Sequence, residues 1–402
     1  MTADLPVRAA APVDYVRTCP NAPIGGTGFF VIPGTETCLQ ISGYVRTEYR
    51  FLENNTRTSL NTRDQSDLTF FARARIALDA RTATEFGTLR SFFSIHANSS
   101  AGFTDLAQSN ATELDHGFIQ FAGLTAGRIT SFFDFFGGNL LGGGLQSDTT
   151  TELLAYTATF GSGFSATISI ENALNRRVEN SVDWNYGGQE LPDLVANLNV
   201  AQAWGSAQIM GALHQIRHDG TTSLAMDDEL GWALGAGVNI RLPMIAAGDQ
   251  LWLQAVYADG ALGYLNTNGR ARFESIGVNA SDAIYFAGPA RLETTTGFLI
   301  TAAFRHFWTP TFWQDIQASY AEIDSPVDSA GVVSYAQNFN QDFSTWQVGT
   351  RLNWRPVAGL TFSGDIVYTA VDTDRPVDRV GGRPAIDDDS IWQGRLRIQR
   401  DF

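Results

Sequence analysis

The sequence predicts an all-β protein in which one large sheet closes into a transmembrane up-and-down antiparallel barrel of 16 strands. Three observations lead to this fold class: apolar and polar residues alternate along many segments, short and long connections alternate between the segments, and charged residues occupy the face that a closed barrel turns inward. The composition agrees, with 39 glycines and 12% aromatic residues but only 17% charged ones. A chain of 402 residues is long enough for one such sheet, although length alone also allows two ordinary domains.

Sixteen segments show the alternation of a strand with one apolar face. Ten are clear: 38–52, 67–82, 85–96, 192–204, 229–242, 249–258, 291–306, 343–355, 360–371 and 389–402. Six are weaker: 115–122, 124–129, 151–160, 164–172, 207–218 and 311–323. Most are long enough to cross a bilayer at the tilt usual for barrel strands.

The connections between these segments alternate between short turns and long loops. The short ones contain turn residues, such as Gly123 and the glycines at 161 and 163. The eight long ones are 53–66, 97–114, 130–150, 173–191, 219–228, 259–290, 324–342 and 372–388. Soluble sandwiches mix their loop lengths, whereas outer-membrane barrels have short periplasmic turns and long extracellular loops.

The distribution of charge decides which face of the strands points inward. In segment 67–82 the even positions are apolar, from Leu68 to Ala80, while the odd positions include Arg73, Arg75, Asp79 and Arg81. So many charges could not be buried in a dry core without a severe desolvation cost. The sequence therefore predicts a water-filled interior and an apolar face in lipid, and it places Arg46, Glu48 and Arg50 in the lumen.

The two cysteines, Cys19 and Cys38, precede the first long strand. A disulfide is the preferred interpretation and would stabilise the short loop by about 3 kcal/mol on the chain-entropy model. A free pair in the cytosol is the alternative, and a metal site is disfavoured because no CxxC spacing or histidine cluster accompanies them. We therefore divide the chain into an N-terminal periplasmic segment, 1–37, and a single barrel domain, 38–402. The first 12 residues lack the apolar core of a signal peptide, so the sequence is interpreted as a mature form.

Composition and motifs disfavour several other classes of protein. A net charge of −15 argues against a nucleic-acid partner. No GxSxG motif occurs, and His214 and His218 on one strand would lie about 13 Å apart, too far to share a metal ion. We predict no enzyme and no cofactor. The acidic runs 227–229 and 387–389 are weak candidates for divalent cations, and a solvated loop is the favoured interpretation.

Four stretches resemble the general-diffusion porins of alphaproteobacteria. They are "YVRTC" at 15–19, the second "YVR" within 29–51, "AGRITSFFDFF" at 126–136, and the terminal Phe402 in phase with the last strand. The resemblance implies a homotrimer of sixteen-stranded barrels in the bacterial outer membrane, in contact with the lipid bilayer and lipopolysaccharide. It also implies an inward-folded third loop, paired cysteines, and recognition of Phe402 by the barrel-assembly machinery.

The third long connection, Thr130 to Thr150, is the predicted constriction loop. Its aromatic residues Phe132, Phe133, Phe135 and Phe136 are too apolar for a loop in water and should pack inside the barrel or, alternatively, against a neighbouring subunit. Asp134 and Asp148 would face the lumen wall across the aperture and create a transverse field. The predicted wall consists of Arg46, Glu48, Arg50, Arg73, Arg75, Arg81 and Arg90, with Arg128 at the entry to the loop. In the alternative interpretation, some of these arginines only pair with Glu48, Asp67 and Asp79.

The predicted function is a channel for passive diffusion of ions and small hydrophilic solutes. Two alternatives stay open: a substrate-specific channel for an anion or a sugar, and a plugged structural or adhesive barrel. Most of the negative net charge falls in the long loops, which would concentrate cations at the mouth, while the arginine wall would favour anions.

Overall fold

The computed structural model describes residues 18–19, 25–53, 66–101, 108–178, 184–220, 227–265, 272–273, 276–277, 280–287, 290–326, 342–373, 377–379, 383–386 and 389–402. Strands dominate these residues, and the helical elements among them are two short 3-10 turns, Ala173–Arg176 and Leu262–Leu265. Within the described ranges, no helix has the length and apolar character needed to span a membrane.

Sixteen long strands form one antiparallel sheet. They are β1 (Cys38–Leu52), β2 (Leu68–Thr84), β3 (Gly87–Ala101), β4 (Gln108–Phe121), β5 (Leu124–Thr130), β6 (Thr150–Gly161), β7 (Phe164–Glu171), β8 (Asp193–Gln202), β9 (Gly205–Ile216), β10 (Glu229–Arg241), β11 (Gln250–Asp259), β12 (Thr296–Thr309), β13 (Phe312–Asp324), β14 (Phe343–Val357), β15 (Leu360–Thr373) and β16 (Asp389–Asp401). Each pairs with the next, and β16 pairs with β1 from Tyr44↔Asp401 to Leu52↔Gln393. The predicted closed barrel of sixteen strands is confirmed.

The largest difference from the predicted strands lies before β12. The segment 291–306 was expected to form one strand, but Ala290–Thr294 pairs with Ala283–Ala287 in a separate hairpin. Thr295 interrupts the run because its backbone is used by the preceding connection: its N–H donates to Asp282 and its carbonyl accepts from Gly260. The barrel strand therefore begins only at Thr296.

Two of the tight turns depend on residues with positive φ. Ala122 and Gly123 join β4 to β5, and Ser162 and Gly163 join β6 to β7, with φ of 49° or more at all four positions. Positive φ at both central residues matches the twist of the strands in a two-residue hairpin, and glycine adopts it without strain. The glycine punctuation in the sequence therefore marks these turns correctly.

The first described residues and the last residue of the chain are fixed to β1. Cys19 forms a disulfide with Cys38, as predicted, and the short strand Phe29–Val31 pairs with the start of β1. Most of the predicted N-terminal segment lies outside the described residues. At the other end, Phe402 exchanges two backbone hydrogen bonds with Gly43, and its ring lies where a side chain at position 43 would be. A glycine at position 43 thus allows the terminal aromatic ring to cover the seam of the barrel.

The interior of the barrel is divided into two unlike parts. The packed wall is the lumen face of β8–β13, where apolar residues such as Val195, Met210, Ala233, Val256 and Leu299 belong to one buried cluster. The charged wall is the lumen face of β1–β4 and β16, where arginines and carboxylates alternate with apolar outward residues.

Candidate pore and constriction

The segment between β5 and β6, residues 131–149, crosses the lumen and is called the constriction loop here. Its backbone N–H groups donate to side chains on distant strands: Asn139 to Gln317 (2.9 Å), Leu141 to Asp365 (2.6 Å) and Leu145 to Gln347 (3.1 Å). These acceptors lie on β13, β15 and β14, on the far side of the barrel from β5. The loop is therefore held inside the barrel by hydrogen bonds that replace those it would make to water.

Aromatic side chains of the constriction loop pack against the packed wall. Phe133 is fully buried, with its ring centroid 4.6 Å from that of Tyr264. Phe136 stacks on Trp252 of β11 at 5.4 Å, and Phe135 occupies the space that a side chain at Gly237 would need. Phe132 packs against the same buried cluster. All four predicted aromatics thus pack within this barrel.

Asp134 does not face the arginine wall, so this part of the expected transverse arrangement was wrong. Its carboxylate forms a buried ion pair with Arg176 (2.7 Å), and it also accepts hydrogen bonds from the Ser147 hydroxyl and the Thr149 N–H (both 2.6 Å). Arg176 ends the 3-10 turn Ala173–Arg176, whose first residues are capped by the Asn172 side chain. A buried carboxylate needs such a partner, and the following connection supplies it.

A buried polar network continues from Arg176 through the next long connections. The Arg176 guanidinium lies 4.4 Å from the ring of Tyr264, and the Tyr264 hydroxyl donates to Asp193 (2.7 Å). Asp193 contacts His214 (2.8 Å), whose other ring nitrogen is 3.0 Å from the Tyr186 hydroxyl. We call Asp134, Arg176, Tyr264, Asp193, His214, Tyr186 and Asp282 the buried latch.

Asp282 ends the latch and joins a third connection to it. Its carboxylate accepts from the Tyr186 hydroxyl and from the N–H groups of Val178 and Leu262, each at 2.7 Å. Burial raises the pKa of Asp282 to about 6. The latch therefore ties the constriction loop to the connections after β7 and after β11 through side chains that water does not reach.

On the charged wall, one carboxylate serves several arginines. Glu48 is buried, and its oxygens contact Arg50 (2.7 Å), Arg46 (3.4 Å) and Arg397 (Nε, 2.7 Å). Arg395 lies at 3.9 Å. The arginines themselves retain side-chain exposures of 13–20%. This arrangement puts a surplus of positive charge at the lumen surface.

The other predicted wall arginines have local partners. Arg81 and Arg90 both bind Asp79, at 2.7 and 3.0 Å. Arg75 contacts Asp115 at 2.9 Å. Asp115 is the extra residue of a β-bulge in β4, opposite Ser94 and Ile95 of β3, and this bulge brings it to the lumen. Arg73 donates to the Asn98 amide oxygen at 2.6 Å. Of the partners named in the alternative interpretation, Asp79 thus binds Arg81 and Arg90, and Glu48 binds Arg46 and Arg50, whereas the partner of Arg75 is Asp115.

Arg128 lies on the outer face, contrary to the expectation that it lines the lumen. It forms an ion pair of 2.8 Å with Glu152, its register partner on β6. The buried Thr125 has the opposite parity on β5 and points inward. Leu124, Leu154 and Tyr156 share its face and are about half exposed. The parity of the short strand β5 was misjudged, and register with β6 shows the true orientation.

Asp148 alone among the loop acids keeps the predicted exposure to the lumen. Although its side chain is exposed, the loss of bulk water inside the barrel and the neighbouring Asp134 carboxylate raise its pKa to about 6. The positive charge of Arg176 opposes this effect.

Sequence analysis did not assign several residues that the fold brings to the site. Arg395 and Arg397 have the lumen parity in the sequence, and pairing of the last strand with the first would have placed them beside Glu48. Arg305 and Arg351 face Asp315 and the carbonyl of Asn139, respectively. The alternation of apolar and polar residues does not identify the latch residues Arg176, Asp193, Tyr264 and Asp282. Arg176, Tyr264 and Asp282 lie in irregular connections, where no such alternation exists.

Comparison with known proteins agrees with this architecture. Residues 4–395 match the Porin subfamily. Porin Omp2b of Brucella suis is 31% identical over 265 residues, which cover 62% of this chain and 66% of that protein, slightly less than two thirds of its length. A putative outer membrane protein, y4fJ, of Sinorhizobium fredii is 42% identical over 125 residues, or 31% of this chain and 35% of that protein.

Solved structures show the same fold at low sequence identity. The outer membrane channel DcaP of Acinetobacter baumannii superposes with a TM-score of 0.66 at 16% identity, covering 91% of this chain and 97% of that one. The anion-selective porin from Comamonas acidovorans gives 0.54 at 12% identity, covering 91% and 100%. A closed barrel with an apolar outer face suits a bilayer, and the named relatives are outer-membrane proteins. The chain belongs to the Porin subfamily and is a sixteen-stranded barrel of the bacterial outer membrane.

Proposed function

We propose that the protein forms a water-filled channel through which ions and small hydrophilic solutes diffuse passively across the outer membrane. The observation that carries the proposal is the charged wall: arginines at the lumen surface retain exposure to water, opposite a constriction loop that narrows the lumen from one side. Such side chains would be costly in a dry interior. The short turns then lie in the periplasm and the long connections outside the cell, as in related barrels.

Planar-bilayer recording tests the proposal. The purified protein should give stable single-channel conductance in potassium chloride, with a reversal potential under a salt gradient that reports its ion preference. Complete absence of conductance would contradict the pore and favour the plugged structural or adhesive barrel. That alternative has one supporting observation, since the constriction loop and the connections after β7 and β11 already fill the packed wall.

The non-enzymatic character of the chain is part of the same proposal. The groups that resemble a catalytic constellation are Asp193, His214 and Tyr186; Asp193 and His214 are buried and offer no access to a substrate, and Tyr186 beside them is partly buried. Within the described ranges, no group of three potential metal ligands occurs. Divalent cations at acidic loops stay a prediction: Asp228 is hydrogen-bonded to Gln215, and Asp387 and Asp388 lie outside the described residues.

We also propose that copies of the barrel associate as a homotrimer through the outer face of β2–β5. Residues 68–130 contain no Trp or Tyr, whereas exposed Trp and Tyr recur on the other outer strands, as in an aromatic belt. Small residues such as Ala72, Ala74, Ser91, Ala97 and Ala126 lie on this face beside the exposed Phe70, Phe86 and Phe93. An apolar face without Trp or Tyr suits contact with protein better than contact with lipid headgroups.

A matched pair of variants tests this surface. Ala74→Trp should shift the protein from trimer to monomer in native mass spectrometry, because a large side chain separates the closely packed faces. Ala236→Trp, on the outer face of β10, should leave the oligomer intact. Equal behaviour of both variants would contradict the proposed surface. Recognition of Phe402 by the barrel-assembly machinery and contact with lipopolysaccharide remain parts of the proposal that rest on the family.

A further inference from the structure

We propose that five lumen arginines around Glu48 form a binding subsite for a small multivalent oxyanion, with phosphate-like or carboxylate-like oxygens. The group is called the arginine cluster and consists of Arg46, Arg50, Arg73, Arg395 and Arg397. The inference rests on the proposed channel function and goes beyond it, since a passive pore needs no saturable site.

The first argument is the imbalance of charge around one carboxylate. The two oxygens of Glu48 are shared by Arg46, Arg50 and Arg397 within 3.4 Å, with Arg395 at 3.9 Å. Its side chain is fully buried beneath them. One negative charge cannot neutralise four guanidinium groups, so most of the positive charge is left for the lumen.

Three of the guanidinium groups lie around one aromatic ring. The Cζ atoms of Arg50, Arg73 and Arg46 lie 3.9, 5.3 and 5.6 Å from the centroid of the buried Phe71 ring. Cation–π attraction partly offsets their mutual repulsion. Arg73 donates to the neutral amide of Asn98, which brings no compensating charge. Three cations therefore converge on one point of the wall.

The third argument is the position of the cluster along the path of a solute. Arg395 donates to the carbonyl oxygen of Gly142 in the constriction loop, so the cluster lies against the loop. Asp365 on β15 also attracts Arg395, and its Oδ2 accepts from the N–H groups of Leu141 and Gly142. With 13–15% of each side chain of Arg46, Arg395 and Arg397 exposed, these guanidinium groups can be reached by a solute.

Arginine suits the proposed ligand chemically. Its planar fork donates parallel hydrogen bonds to two oxygens of a carboxylate or phosphate group. Several forks at one place favour an anion with several charged oxygens over chloride, which cannot bridge them. Because the cluster stays in contact with water, binding is reversible and compatible with passage.

A second arginine group on the same wall provides a control. Arg81 and Arg90 are bound to Asp79 by four hydrogen bonds of 2.7–3.1 Å, so one carboxylate serves two guanidinium groups there instead of the four around Glu48. The pair faces the same lumen on β2 and β3. Removing both charges there matches the removal of two charges from the cluster.

The test uses inorganic pyrophosphate as the probe with the full-length protein. Single-channel current in potassium chloride is recorded at constant ionic strength while pyrophosphate is added. In parallel, isothermal titration calorimetry measures pyrophosphate binding to the detergent-solubilised protein. The variants are Arg46→Gln/Arg397→Gln and the control Arg81→Gln/Arg90→Gln, each first checked for folding by its heat-modifiable electrophoretic mobility.

We expect saturable reduction of the current, with a dissociation constant that rises about tenfold or more in Arg46→Gln/Arg397→Gln and changes little in the control. Equal weakening in both variants would overturn the site, since a diffuse field would then explain the effect. A conducting channel without saturable block or calorimetric binding would overturn the site and leave the channel. Calorimetric binding that depends on Arg46 and Arg397, without any conductance, would uphold the site and overturn the channel.

Discussion

The charged wall and the packed wall are built by the same alternation of inward and outward residues, yet they have opposite relations to water. On the charged wall the inward positions are arginines and carboxylates that pair along the surface and keep some exposure. On the packed wall the inward positions combine a buried apolar cluster with buried polar side chains such as Gln254 and Gln317, and three connections fold over them. The comparison shows that strand periodicity determines the barrel, while the chemistry of the inward positions determines where a solute can pass.

The latch fixes the part of the constriction loop that lies against the packed wall. Phe133 and Phe136 stabilise the position of the loop by burying apolar surface. The ion pair of Asp134 with Arg176 fixes one residue of the loop. Loss of this pair would leave a buried charge without a partner. The packed wall is thus expected to be far more sensitive to charge removal than the charged wall or the outer face.

The largest expected effect is the loss of the latch. Arg176→Met should destabilise the protein by about 3–5 kcal/mol, because it leaves the Asp134 carboxylate buried and unpaired. The measurement is the temperature at which folded electrophoretic mobility is lost, taken at one heating rate because barrel unfolding is governed by kinetics.

An exposed pair provides the control for this experiment. Arg128→Met removes the outer-face partner of Glu152, for which about 0–1 kcal/mol is expected. Asp134→Leu combined with Arg176→Met should recover part of the lost stability, since no buried charge is then left alone. If Arg176→Met and Arg128→Met lower the transition temperature equally, the distinction between the two regions is wrong.

A smaller effect is expected from the carboxylate of the arginine cluster. Glu48→Gln removes the negative charge shared by Arg46, Arg50 and Arg397, so the permeability ratio of chloride to potassium should rise by roughly twofold. The reversal potential under a salt gradient measures it. Glu152→Gln, on the outer face, should leave the ratio unchanged, and a shift of the same size there would show that position in the lumen is irrelevant.

The smallest effect is a pH dependence of ion preference that comes from one carboxyl group. Because the pKa of Asp148 is raised to about 6, the group is mostly neutral at pH 5 and ionised at pH 7. Cation preference should therefore increase as the pH rises through 6.

Asp148→Asn tests this contribution. The pH dependence of the reversal potential between pH 5 and pH 7 should be smaller in the variant than in the unmodified protein. An unchanged pH profile in Asp148→Asn would show that the carboxyl group does not titrate in this range.

The sequence predicts the repeating parts of the molecule and not the irregular ones. Parity places Arg46, Glu48, Arg73 and Arg81 correctly because long strands repeat the signal many times. It fails for Arg128, since the strand Leu124–Thr130 is too short to establish its own parity. Asp134 was misplaced for a different reason: its partner Arg176 lies in a connection whose path depends on tertiary contacts.

Sulfhydryl labelling during bilayer recording tests the central claim most directly, because both native cysteines are in the disulfide and add no free thiol. Asn98→Cys places a thiol on the charged wall, and Met210→Cys places one on the packed wall. A charged, water-soluble methanethiosulfonate reagent is added while the current is measured. The account predicts rapid modification and a stepwise drop in conductance for Asn98→Cys, with Met210→Cys unaffected. Fast modification of Met210→Cys together with protection of Asn98→Cys would contradict it.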